Sequence, residues 1–193
     1  MTGQTPKSTA DSERSRSKDN FRVAPLAHAH DRSGFSCGVE ALDNYLRKQA
    51  SQDAAKRVAV CFVLTADGKT IAGFYTLSQY AVDLGALPNH LARKLPKYPE
   101  VPATLLGRLA ISRDFKGQKL GEFLLLDALH RSLIQSRQVA SAALIVDAKD
   151  EAAHKFYERY DFLALPGIPD RLFLPMKTIE KLFPRQGEKL GTE

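Results

Sequence analysis

Leu105-Leu106-Gly107-Arg108-Leu109-Ala110-Ile111 leads, after a four-residue interval, into Lys116-Gly117-Gln118-Lys119-Leu120-Gly121-Glu122. The reading of this stretch decides the fold. The first run has the length and apolar content of a strand. The second is a basic, glycine-punctuated loop that opens into a helix from Glu122 to Gln135, apolar on most sides through Phe123, Leu124, Leu125, Ala128, Leu129 and Leu133. The free backbone N–H groups and the positive end of such a helix make an anion site, so a phosphate-bearing guest is expected at Lys116 to Gly121.

Downstream, Ala142 to Val146 is an unbroken apolar run, as in a central strand covered on both faces. With a helix between the two strands, they pair in parallel through a right-handed crossover. Asp150 is placed to cap a helix over Glu151 to Tyr160, whose sequence carries the aromatic pair Phe156-Tyr157. Pro166 to Pro169 breaks the chain, Leu172 to Met176 supplies a last strand, and Lys177 to Leu182 a last short helix.

Upstream, Val39, Leu42, Tyr45 and Leu46 give Val39 to Gln52 a helical spacing, and the strand Val58 to Leu64 follows. Asp67-Gly68 then turns the chain into an antiparallel strand, Ile71 to Leu77. Gly85 to Pro102 is proline-rich, with Leu87, Leu91 and Leu95 spaced for a short helix inside a long connection. Residues 1–20 hold almost nothing to bury and read as a mobile tail, and 184–193 as a flexible end. The whole is an α/β chain: one domain, 21–183, with a central mixed sheet flanked by helices.

The chain has 193 residues and a net charge of +6. Its basic residues are spread along the sequence, which suits anionic partners without selecting one. Two cysteines and no apolar leader point to a reducing cytoplasm, and no apolar run reaches the roughly 20 residues a membrane helix needs. Cys37 has no partner arrangement of a nucleophile, and His28 and His30 lack further ligands, so no metal is expected.

Leu106-Gly107-Arg108-Leu109-Ala110-Ile111, the basic loop and Ala153-His154-Lys155-Phe156-Tyr157-Glu158-Arg159 together resemble the GNAT acetyltransferase superfamily. Within it, they are most similar to the tRNA-acetylating toxins of bacterial toxin-antitoxin operons. The likeness extends to Gly34-Phe35-Ser36-Cys37-Gly38 and Leu42-Asp43-Asn44-Tyr45-Leu46, covering about Phe21 to Leu182. It implies acetyl-CoA as donor, with the strand at Leu109, Ala110 and Ile111 along the pantetheine arm and Lys116, Gly117, Gln118, Lys119, Leu120 and Gly121 around the pyrophosphate. Asp150 falls near the cofactor, Tyr157 at the catalytic position, and Arg108 on the acceptor side. Aminoacyl-tRNA as acceptor and a ribbon-helix-helix antitoxin are the implied partners, with a homodimer open as the assembly.

Two departures stand out. Lys116 fills a place where the superfamily loop has Gln or Arg, and Lys119 replaces its first glycine; Asp161 replaces a further glycine after the tyrosine helix. The change at Asp161 is tolerable, because Asp visits the left-handed region more easily than most residues.

In the chemistry so implied, Tyr157 is a general acid that protonates the departing thiolate, since a phenol of pKa about 10 is protonated at neutral pH. Strand N–H groups near Ala110 and Ile111 are candidates to polarise the carbonyl. An α-amine of pKa at or below about 8 is largely neutral without a dedicated base, which favours it over lysine as acceptor. Arg93, Lys94, Lys97, Arg108 and Lys155 are the candidates for RNA contact. The alternatives are acetylation of a protein or small-molecule amine, and a degenerate fold that only binds. On the blander readings, the loop is a solvated turn and Tyr157 a core tyrosine.

Overall fold

The computed structural model describes residues 20–88, 92–93 and 97–184. Seven strands form one sheet in the order β1-β2-β3-β4-β5-β7-β6: β1 Arg22–Pro25, β2 Val60–Thr65, β3 Gly73–Asp83, β4 Glu100–Ile111, β5 Ala143–Asp147, β6 Leu163–Leu165 and β7 Ile168–Pro175. Among these seven strands β4 and β5 pair in parallel, and the other pairs are antiparallel. The helix between them, α3 (Leu120–Ser136), is the crossover expected from the sequence.

The side chains of Thr65 and Asp67 hold the β2–β3 turn, Thr65 Oγ1 accepting from Gly68 N–H at 2.9 Å. Asp67 Oδ1 accepts from the Lys69 and Thr70 N–H groups at 2.8 and 2.7 Å, and Gly68 takes φ +78°. Gly73, at the start of β3, lies against β4 so closely that an added Cβ would sit 2.9 Å from the Ala110 carbonyl oxygen and 2.6 Å from Ile111 Cδ1.

Each sheet face has its own core. On one, Leu124, Leu125, Ala128 and Leu129 of α3 pack on Tyr75, Leu106, Leu144 and Val146, together with Tyr157 of α4 (Glu151–Glu158) and Ile179 of α5 (Met176–Leu182). The opposite face carries α1 (Glu40–Asn44), a π-helical turn (Tyr45–Gln49) and α2 (Ala50–Ala55), which pack Tyr45 and Leu46 against Val63 and Phe74. Farther along that face, Leu84 and Leu87 of the proline-rich connection cover Val82, Ala103, Ile145 and Phe173.

The structure differs from the sequence expectation in three places. β3 runs on to Asp83 and β4 starts at Glu100, because Ser78 to Asp83 find partners all the way along β4 despite their polar composition. The helix read as continuous from Val39 is broken by the π-turn, and β1, β6 and the start of β7 at Ile168 are strands where no strand was expected. Short edge strands carry too few residues to show alternation. The expected tails and the short helix around Leu91 and Leu95 fall largely outside the described residues.

Candidate active site

β4 and β5 stay paired only through Leu106 and Val146, yet β4 continues to Ile111. Gly107 marks the parting: Arg108 pairs with Thr76 and Leu106 with Leu77, which leaves Gly107 unopposed as a β-bulge. Beyond it, one edge of β4 has no strand beside it among the described residues. Ser112 N–H donates to Ala72 O at 2.9 Å, so by strand alternation Ala110 also points its polar groups at β3. Leu109 and Ile111 then direct their N–H and C=O groups to the open edge. Ala110 does not share that place: its backbone faces β3 and its side chain is buried beside Phe35 and Phe74.

The open edge leads to a cavity of about 470 Å³ lined by Ile111, Phe115, Lys116, Gly117, Lys119, Leu120 and Gly121 on one side and Phe156, Arg159 and Tyr160 of the α4 end on the other. Lys119 is the N-cap of α3 and takes φ 59°, ψ 19°, the left-handed conformation of the glycine it replaces. Its side chain and those of Lys116 and Arg159 give the cavity three cations against the single carboxylate of Glu122. The Tyr160 phenol is pushed up, by burial first and then by that carboxylate. Gly121 is not needed for protein packing, since an added Cβ would meet Ile111 and Phe156 at an ordinary 3.9 Å. Gln118 is half-buried in the loop and does not line the cavity.

Tyr157 is 7% exposed, with its ring 5.2 Å from Phe156 and 5.3 Å from Phe162. Burial is the sole cause that pushes its phenol up, so it holds its proton through the physiological range. A splayed parallel strand pair and a cationic helix start can seat an extended thioester with a diphosphate tail. Tyr157, next to the cavity residue Phe156 but not itself in the lining, lies in the core on the same sheet face with its proton held.

Residues 26–162 match the model of the Acetyltransferase (GNAT) family. The chain belongs to this family. A tRNA-acetylating toxin of Mycobacterium tuberculosis is 36% identical over 157 residues, which cover 81% of this chain and 93% of the relative. Among solved structures, AtaT complexed with acetyl-methionyl-tRNAfMet superposes with a TM-score of 0.80 at 31% identity, covering 85% of this GNAT chain and 99% of AtaT. A variant AtaT toxin bound to the C-terminus of the antitoxin AtaR and acetyl-CoA gives 0.74 at 28% identity, covering 86% and 100%.

The remaining candidates lie apart from the cavity. Arg108 is on the other sheet face, its guanidinium carbon 3.6 Å from the centre of the Tyr45 ring. Tyr45, on the π-turn, is 2% exposed and its hydroxyl has no hydrogen-bond partner among the described residues. Arg93 and Lys97 are exposed on the proline-rich connection, and Lys94 lies outside the described residues. Lys155 is exposed on α4 and paired with Glu151 at 3.2 Å. Asp150 caps α4 by accepting from Ala153 N–H at 2.7 Å and does not line the cavity.

Sequence reading missed Arg159, Phe156 and Tyr160 as cavity residues. Their spacing, three and four apart on a helix, was a usable signal for one shared face. It also missed a polar cluster at the end of β5. Arg171 Nε donates to Asp147 Oδ1 at 2.6 Å and Arg171 also donates to the Tyr80 hydroxyl, across three strands that only the sheet order brings together.

Proposed function

We propose that this GNAT chain transfers the acetyl group of acetyl-CoA to the α-amine of an aminoacyl-tRNA, removing that tRNA from translation, and that a cognate antitoxin restrains it. The open edge of β4 carries the reading: free backbone groups at Leu109 and Ile111 run straight into a cavity lined by Lys116, Lys119 and Arg159. A pantetheine arm pairs with the former as a strand would, and the diphosphate meets the N–H groups that open α3. The likeness to a toxin complexed with acetyl-methionyl-tRNAfMet supports the acceptor.

In this reading the Ile111 N–H is a donor to the thioester oxygen, and Tyr157 gives its proton to the sulfur as the C–S bond breaks. The attacking amine loses its own proton to solvent, which an α-amine of low pKa does readily. Arg108, fixed on Tyr45, faces the incoming nucleic acid on the other side of the sheet, with Arg93, Lys94, Lys97 and Lys155 as outlying phosphate contacts. The antitoxin is of the ribbon-helix-helix type, and the setting is the cytoplasm.

The test is incubation with labelled acetyl-CoA and a pool of charged tRNAs, with Tyr157→Phe beside it. Label on the aminoacyl group is expected, and it is lost on base hydrolysis of the ester together with the acetylated amino acid. Label confined to protein or to small amines would overturn the acceptor. Undiminished transfer by Tyr157→Phe would overturn the general acid.

A further inference from the structure

The cavity at the head of α3 is lined by three cations, Lys116, Lys119 and Arg159, and by the carboxylate of Glu122, and the cations stand on opposite walls. Lys116 and Lys119 stand on the loop side, beside the N–H groups at the helix start. Arg159 stands on the α4 side, together with Phe156 and Tyr160. It is exposed, and among the described residues it enters no salt bridge. Its guanidinium carbon lies 5.7 Å from the Phe156 ring centre, so the aromatic ring that borders the cavity also supports the arginine. Arg159 further lines a shallow depression shared with Ala152, Lys155, Phe156 and Glu158, which continues outward from the cavity.

We propose that Arg159 is the receptor for the 3′-phosphate of the coenzyme, and that it makes the enzyme select 3′-phosphorylated CoA over its dephosphorylated form. This rests on the acetyl-CoA reading given above. The two ends of the nucleotide carry different chemistry. A diphosphate accepts several hydrogen bonds along its length and suits the row of backbone donors that opens α3. A ribose 3′-phosphate is a compact monoester, close to doubly charged at neutral pH, and suits the planar, many-donor guanidinium of one arginine. Lys116 and Lys119 flank the first group, and Arg159, across the cavity, is left for the second. Arg159 also closes α4 as its C-cap. A cation there favours the helix dipole whatever is bound, so a purely structural role would not distinguish one cofactor from the other.

The experiment measures the affinity of the full chain for acetyl-CoA and for acetyl-dephospho-CoA by titration calorimetry, in the native protein and in Arg159→Gln, Arg159→Lys and Lys116→Gln. The native protein is expected to favour the phosphorylated cofactor by about tenfold or more, the size of one charge-assisted hydrogen bond. Arg159→Gln brings that ratio close to one, Arg159→Lys keeps part of it, and Lys116→Gln weakens both cofactors by a similar factor. A native ratio near one, or a ratio that survives in Arg159→Gln, overturns the proposal. So does a ratio abolished by Lys116→Gln alone. If the native protein binds neither cofactor, the acetyl-CoA reading itself fails and the proposal falls with it.

Discussion

At the scale of single residues, Tyr157 and Lys119 carry the most specific consequences. Tyr157 is buried, and burial is the only cause acting on its phenol, so the group stays protonated at all physiological pH. Replacing it with Phe removes one hydroxyl from a packed site. Single-turnover rates are expected to fall by about 10²- to 10⁴-fold, while calorimetry finds acetyl-CoA affinity unchanged. Lys119 bears both a left-handed backbone and a charge, and two substitutions separate them. Lys119→Gly removes strain of about 1–2 kcal/mol and adds a glycine entropy cost of about 0.5–1 kcal/mol, so urea unfolding should show equal or slightly higher stability. Lys119→Ala keeps the strain and loses the ammonium. If backbone donors hold the diphosphate, both variants bind acetyl-CoA like the native chain; equal weakening in both shows that the ammonium contributes. Left-handed backbone at Asp161 was legible in the sequence, because it replaces a glycine of a recognisable pattern, whereas at Lys119 it emerged only in the structure. The approach of Arg159 to the same cavity was not legible, because nothing in an isolated helix end says what it faces.

At the scale of elements, the start of β3 and the start of α4 answer different questions. An added methyl on Gly73 would collide with the Ala110 carbonyl, Ile111 and Leu124 together, and backbone cannot yield cheaply there. Gly73→Ala is expected to cost about 1–3 kcal/mol, read from the urea midpoint, and to disturb the end of β4 on which Ile111 stands. Asp150 holds one N–H of α4 and stands away from the cavity, although family likeness places its position near the cofactor. Asp150→Ala should cost about 1 kcal/mol of stability and leave acetyl-CoA affinity as it was. A loss of affinity beyond that of a destabilised control variant would return Asp150 to the cofactor site. The apolar run behind the basic loop found α3, the capping Asp150 found α4, and the Asp67-Gly68 pair found the β2–β3 turn. The π-turn at Tyr45 escaped notice because one inserted residue hardly alters a helical pattern, yet it is where Tyr45 meets Arg108.

At the scale of the whole molecule, the two cores tie stability to alkaline pH. Burial is the first cause that pushes up the phenols of Tyr45, Tyr75 and Tyr157, and the Cys61 thiol is pushed up to about 12. In the unfolded chain these groups ionise at about 10 for Tyr and 8.5 for Cys. A group that keeps its proton longer in the folded state contributes fully below its unfolded pKa and loses that contribution as pH rises toward its folded value. The urea midpoint is therefore expected to be unaffected by these groups up to about pH 8 and to fall increasingly above about pH 9–10; no fall by pH 11 would contradict the burial of these groups. The sequence by itself determined the order of the central elements from β2 to α4, the parallel crossover and, through its motifs, the family, because periodicity, turn chemistry and helix starts are local properties of the chain. Tertiary structure decided the parting of β4 from β5 at Gly107, the faces on which Arg108 and Tyr157 lie, and the meeting of Lys116, Lys119 and Arg159 around one cavity. Those depend on which strand lies beside which and on where a bulge falls, and such non-local packing leaves no pattern in any one segment.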